Sequence, residues 1–141
     1  MDIRPLTADY AVSPQISPAD LPAIKAAGFT TVIDNRPDGE IPPELQAAAM
    51  RAAAEALGLT FVLNPVQPGG WTPETVASQR AAMDAAKGPV FAYCASGNRC
   101  SIVWALAEAK RRPVEELVGI PARHGYQLDH LRPRIADLNR G

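Results

Sequence analysis

Apolar residues fall along this chain in short, β-branched runs separated by longer amphipathic stretches, and proline or glycine marks nearly every change. Tyr10-Ala11-Val12-Ser13, Phe29-Thr30-Thr31-Val32-Ile33, Leu59-Thr60-Phe61-Val62-Leu63 and Val90 to Tyr93 read as strands. Ser17-Pro18-Ala19-Asp20 reads as a helix N-cap with proline at the first helical position, and that helix runs to Gly28. Pro42-Pro43-Glu44 opens an alanine-rich helix that Gly58 closes. Thr72-Pro73-Glu74-Thr75 starts a third, ending near Lys87-Gly88, and a fourth spans Cys100 to Arg111. The tail from Pro113 onward is helical in pattern, is broken by Pro121 and Pro133, and carries much of the arginine.

Strands of continuous apolar character alternating with helices predict an α/β fold of three layers, with a mainly parallel central sheet between helices. In such sheets ligands bind beyond the carboxyl ends of the strands. Three loops leave the strands there: Asp34 to Glu40, Asn64 to Trp71, and Cys94 to Arg99.

Composition narrows the partners more than the fold. A chain of 141 residues reads as one domain over 1–141, and 47% hydrophobic with 21% charged residues is ordinary for a globular protein. A net charge of −1 provides no footprint for nucleic acid or an acidic membrane surface. Apolar runs fall short of a bilayer span, and Met1-Asp2-Ile3-Arg4-Pro5 lacks the layout of a signal peptide. Two cysteines make no disulfide scaffold, so a reducing, cytoplasmic setting is expected. His124 and His130, with no cysteine at finger spacing, offer no metal set, and they read as structural or solvated.

The chemistry concentrates in Cys94-Ala95-Ser96-Gly97-Asn98-Arg99. A strand ends on a cysteine, a loop turns through glycine, and a helix opens beside an arginine. Backbone N–H groups and the positive helix end then converge on one point, where a thiol loses its proton easily and an anion binds. Arg99 supplies a planar fork for an oxyanion, and Gly97 supplies the torsional freedom that turns N–H groups inward. Cys94 alone could equally be a small buried hydrophobe; the combination favours a nucleophile. Arg36 is either a second cation facing the crevice or a surface residue that fixes the turn at Asp38 or Glu40.

These segments carry a family resemblance over nearly the whole chain. Val12-Ser13-Pro14-Gln15-Ile16, Val32 through Glu40, Gly69-Gly70, and Tyr93 through Arg99 with Trp104-Ala105-Leu106 resemble the phosphatase-like family found in bacterial beta-lactamase-hydrolase-like proteins. That family is related in fold to dual-specificity phosphatases, and Asn35-Arg36-Pro37-Asp38-Gly39-Glu40 is the most distinctive stretch. The resemblance implies a cysteine-phosphatase-like fold with Cys94 and Arg99 as catalytic residues and Ala95, Ser96, Gly97 and Asn98 as the anion-binding loop.

Two departures bear on the reaction. Tyrosine-phosphatase-like enzymes place five residues between cysteine and arginine, whereas four intervene here. This length resembles the loop of rhodanese-type sulfurtransferases and makes a smaller cradle. Phosphatases of this fold also use an aspartate from a neighbouring loop to protonate the leaving oxygen. Asn64-Pro65-Val66-Gln67-Pro68-Gly69-Gly70-Trp71 contains no carboxylate; Asp34 or Asp38 could substitute by reaching the site, although Asp38-Gly39 also reads as a turn. Sulfane-sulfur transfer needs no such acid. Cys100 stands where related enzymes usually carry a serine or threonine facing the nucleophile. It is either an isosteric swap or an auxiliary thiol able to bond to, oxidise with or resolve Cys94.

The reading is therefore a sulfurtransferase working through a Cys94 persulfide. Its alternatives are a phosphate monoester hydrolase working through a Cys94 phosphocysteine, and a non-catalytic module that binds anions or phosphopeptides. None needs a metal or organic cofactor. The expected partners are a small anionic thiol, persulfide or phosphate, with an acceptor protein or a second copy of the chain as further options.

Overall fold

The computed structural model describes residues 1–140. Its five-stranded sheet has the order β1-β2-β5-β3-β4, from β1 (Arg4–Thr7), β2 (Tyr10–Ser13), β3 (Thr31–Asp34), β4 (Thr60–Leu63) and β5 (Val90–Tyr93). Four strands run parallel, and β1 pairs antiparallel with β2 as an edge hairpin. That first strand was not foreseen, because Pro5 lies within it; at a sheet edge a missing N–H costs no ladder bond.

The chain passes from β2 over to β3 and leaves a vacant place between them, which β5 later fills. The carboxyl end of β5 therefore opens between two neighbouring strand ends, the position where parallel sheets bind ligands. Alternation along the strands separates the two cores. Val12, Ile33, Ala92 and Cys94 face one side with α4 (Asn98–Ala107), while Val32, Phe91 and Tyr93 face the other with α1 (Leu21–Ala26) and α2 (Ala47–Ala56). The first side also carries α3 (Pro73–Ala85), α5 (Val114–Ala122) and α6 (Arg132–Arg140). Three layers result.

Several boundaries differ from the sequence reading for local reasons. Ser17 and Asp20 do form a capping box, but the first turn is a 3-10 turn and α1 ends before Gly28, whose φ is +101°. Pro43–Leu45 is likewise a 3-10 turn, and α2 begins only at Ala47, because the Gln46 side chain donates to the Asp38 and Ile41 carbonyls and holds its own backbone extended. Asp34 belongs to β3 and not to the loop after it. The fourth helix starts two residues earlier than expected, at Asn98, and stops at Ala107. The tail is broken into two helices: Pro121 sits in the last turn of α5, which ends at Ala122, and Pro133 lies in the first turn of α6, where its missing N–H is harmless. No helix among the described residues is long and apolar enough to cross a membrane.

Candidate functional site

Cys94 follows directly on β5 and is fully buried beneath its own loop. The loop is fixed from both sides. Gln15 N–H donates to the Ala95 carbonyl at 3.3 Å, and the Tyr126 hydroxyl donates to the Ser96 carbonyl at 2.8 Å. Gly97 adopts φ +97°, and a Cβ there would lie 2.3 Å from the Tyr126 oxygen. Both its torsion and the close approach of Tyr126 therefore demand glycine. The reversed torsion turns Gly97 N–H inward, where it donates to Cys94 Sγ at 3.1 Å. Ser101 closes the first turn of α4 by donating from its hydroxyl to the Gly97 carbonyl at 2.9 Å.

This environment selects the thiolate. A hydrogen bond from the Cys100 side chain, followed by backbone N–H groups of Cys100, Gly97 and Ser96, lowers the Cys94 pKa to about 5 against the opposing effect of burial. Cys100 shifts the other way: burial and the adjoining Cys94 push its thiol well up. At neutral pH the pair is thus one thiolate and one thiol, and both cysteines are free.

Arg99 approaches from the first turn of α4 and is anchored by two other loops. Its Nη1 and Nη2 donate to the Glu40 carboxylate at 2.9 and 2.8 Å, and Nη1 also donates to the Val66 carbonyl at 2.8 Å. These three bonds use the end of the fork. The Nε–H and one Nη2–H make up the remaining edge, which is a bidentate surface for an anion. Arg36 shares the same carboxylate, donating from Nε to Glu40 at 3.1 Å and from Nη1 to Gln15 at 3.3 Å. The two guanidiniums, Arg99 foremost, hold Glu40 below the ordinary carboxylate range. Arg36 thus stands beside the site through Glu40, and Glu40 itself was expected only as a turn residue.

The two candidate aspartates part company. Asp38 is exposed, and its side chain accepts the Ala47 N–H at 2.8 Å, at the start of α2. Asp34 is fully buried, and its Oδ1 accepts the Arg36 N–H at 2.9 Å. Among the described residues its Oδ2 has no hydrogen-bond partner, nor has the hydroxyl of Tyr93, the residue paired with it across β3 and β5. Burial raises the Asp34 pKa to about 6. The loop after β4 brings Val66 to Arg99 but no carboxylate. His124 and His130 lie in the tail, His130 in a 3-10 turn (Asp129–Leu131) and exposed. Among the described residues no three His, Cys, Asp or Glu side chains gather as a metal site. A cavity of about 460 Å³ opens at the other end of the strands, beside Asp9, Tyr10 and Arg111, away from the cysteine loop.

Sequence reasoning missed Glu40 as the partner of Arg99, the Val66 carbonyl, and Tyr126. Glu40 had a readable signal in its place within Asn35 to Glu40. Tyr126 had none, since it reaches the loop from 30 residues away.

The comparisons with known proteins agree with this fold. The family described as beta-lactamase hydrolase-like protein, phosphatase-like domain, matches residues 2–111. A beta-lactamase hydrolase-like protein of Agrobacterium fabrum is 32% identical over 112 residues, covering 78% of this chain and 26% of its own length. One from Xylella fastidiosa strain Temecula1 is 28% identical over 130 residues, covering 91% of this chain and 30% of its own length. The chain therefore spans less than a third of the length of these curated relatives. Among solved structures, a candidate phosphatase from Neisseria meningitidis superposes with a TM-score of 0.83 at 32% identity, covering 98% of this chain and 99% of that one. TpbA of P. aeruginosa in complex with pTyr shares the fold at a TM-score of 0.67 and 14% identity, covering 99% and 83%. With its phosphatase-like fold and matching sequence, the chain belongs to the family of the phosphatase-like domain of beta-lactamase hydrolase-like proteins.

Proposed function

We propose that the chain is a cysteine-dependent sulfurtransferase. The observation that carries this reading is a Cys94 sulfur that accepts the Gly97 N–H within a six-residue loop, flanked by a loop from Asn64 to Trp71 that offers no acid for a leaving oxygen. The Cys94 thiolate attacks the outer sulfur of an anionic donor such as thiosulfate. A sulfur–sulfur bond forms, and sulfite departs with the electron pair of the bond that breaks. The loop N–H groups stabilise the resulting persulfide anion, and the free edge of Arg99 steers the donor. An acceptor thiolate then takes the outer sulfur and regenerates Cys94, so no proton has to reach a leaving oxygen.

The second reading, phosphate monoester hydrolysis, has more direct support from the family and the shared fold than sulfur transfer has. It also has a specific observation: Asp34 keeps its proton up to about pH 6 and lies one strand from the nucleophile. Cys94 would form a phosphocysteine, and Asp34 would protonate the departing oxygen. We place it second because Asp34 is fully buried, with one oxygen committed to Arg36 N–H.

A paired assay decides between them. After exposure to thiosulfate or a glutathione persulfide source, mass spectrometry should find a persulfide on Cys94, and Cys94→Ser should abolish both it and donor turnover. Vanadate-sensitive hydrolysis of an aryl phosphate without any persulfide would replace sulfur transfer by phosphatase action. Sulfate binding with neither chemistry would leave a binding module.

A further inference from the structure

Helix α3 buries one residue, Gln79, and that residue is polar. Its surroundings form a branched chain of hydrogen bonds in which Asn35 Oδ1 finds no partner among the described residues. Asn35 Nδ2 donates to Gln79 Oε1 at 3.1 Å and to the Asn64 carbonyl at 2.8 Å. Asn64 Nδ2 donates to the same Gln79 oxygen at 3.1 Å and to the Thr75 carbonyl at 3.1 Å. Gln79 Nε2 donates to the Tyr10 hydroxyl at 3.0 Å, and Tyr10 donates onward to the Cys100 carbonyl at 2.9 Å. The backbone carbonyls at the ends of this chain accept only, so they fix the direction of every amide between them.

Each branch ends on something the site uses. Asn35 and Asn64 stand where β3 and β4 give way to their loops, and the Asn35 carbonyl accepts the Val66 N–H at 2.9 Å. Val66 in turn accepts from Arg99, and the loop after Asn35 carries Glu40. The Tyr10 branch ends on the Cys100 carbonyl in the first turn of α4, and the N-cap of that helix, Gly97, donates its N–H to the Cys94 sulfur at 3.1 Å. The buried amide of Gln79 therefore ties the arginine anchors to the thiolate cradle.

We infer that Gln79 is a positioning residue for the site, acting through Tyr10 on the Cys94 thiolate and through Asn35 and Asn64 on the anion grip of Arg99. The bulk of α3 packs through half-buried residues such as Val76 and Met83, and Gln79 is the one side chain it buries in this network. The role holds for sulfur and phosphoryl transfer alike, and its test uses neither reaction.

The two branches predict separable losses. The pH midpoint of Cys94 alkylation by iodoacetamide, located by mass spectrometry, reads the thiolate. Protection of Cys94 by inorganic sulfate reads the anion grip. Tyr10→Phe should raise the midpoint by about 1 pH unit and leave sulfate protection within about twofold. Asn35→Ala should weaken protection about tenfold, since small misplacements in an anion site are costly, and should leave the midpoint in place. Gln79→Met should do both. Should Gln79→Met fail to fold, the two milder variants decide. The inference is overturned if folded Tyr10→Phe keeps the native midpoint, or if folded Asn35→Ala keeps the native protection constant, whatever either does to the melting temperature. A purely structural network would lower that temperature and move neither readout.

Discussion

Helices α3 and α4 lie side by side on the same face of the sheet, yet they are held by opposite means. Every residue of α4 from Cys100 to Ala107 is buried, with Trp104 among the largest. Its sequence has no polar face to give to water, so packing fixes it from all sides. Of the 13 residues of α3, only Gln79 is buried, and hydrogen bonds fix what α3 contributes to the site. The difference extends outward. Beneath the cysteine loop the structure is apolar and close-packed, whereas the shell that carries Asp34, Glu40, Asn35 and Asn64 is polar. Packing resists displacement of Cys94, and the polar shell orients Arg99 beside it.

The sharpest way to break this contrast is to open the apolar side. Trp104→Ala should lower the unfolding free energy by about 3–5 kcal/mol, the usual cost of emptying a core aromatic site. Ser78→Ala, on the exposed face of α3, should stay within about 0.5 kcal/mol of native. Denaturant titrations measure both. If Trp104→Ala cost no more than Ser78→Ala, α4 would not be the packed element described.

Asp34 tests the polar side, where burial works against stability. Its folded pKa of about 6 lies above the ordinary aspartate value, so the folded chain holds this proton more tightly than the unfolded chain does. Its contribution is greatest below about pH 4 and is lost as pH rises through about 6. Asp34→Asn keeps an oxygen for the Arg36 N–H and cannot ionise. It should remove that loss and be more stable than native above pH 6, by up to about 3 kcal/mol. Denaturation midpoints of both proteins from acid to neutral pH should diverge across this window. Parallel profiles would mean that Asp34 ionises inside the fold without penalty.

Asp34 also shows what was legible in the sequence. Strand and helix alternation gave the three layers, because periodicity follows directly from which faces are buried. Loop, glycine and arginine at the end of β5 marked the candidate site, because those parts adjoin along the chain. The partners of Arg99 come from loops far off in sequence, and no local pattern says which of Asp34, Asp38 or Glu40 turns toward it. Asp38 went to the start of α2, Asp34 into the sheet, and Glu40 to the arginine. Gln79 left a fainter mark, as a polar residue at helical spacing between Val76 and Met83, where an apolar one would continue the stripe. The hairpin strand at Arg4–Thr7 was hidden by its proline.

The finest test concerns Glu40, where two effects of opposite sign compete. Its negative charge sits on the arginine that is to bind an anion, so neutralising it should favour the anion by a few tenths to about 1 kcal/mol at solvent-screened distances. Its carboxylate also holds the end of the Arg99 fork, and losing that hold should cost about 1–2 kcal/mol of oriented hydrogen bonding. Glu40→Gln keeps an oxygen for Arg99 and discards the charge, so the terms nearly cancel and sulfate protection of Cys94 should stay within about threefold of native. Glu40→Ala discards both, and protection should weaken by about three- to tenfold. Neither should cost more than about 1 kcal/mol of stability, because the pair is only partly shielded from water, at 12% and 26% exposure of the two side chains. Tighter sulfate binding by Glu40→Ala than by the native protein would reverse the assignment. Glu40 would then be an occupant that an incoming anion must displace, and the polar shell would restrain the site instead of aiming it.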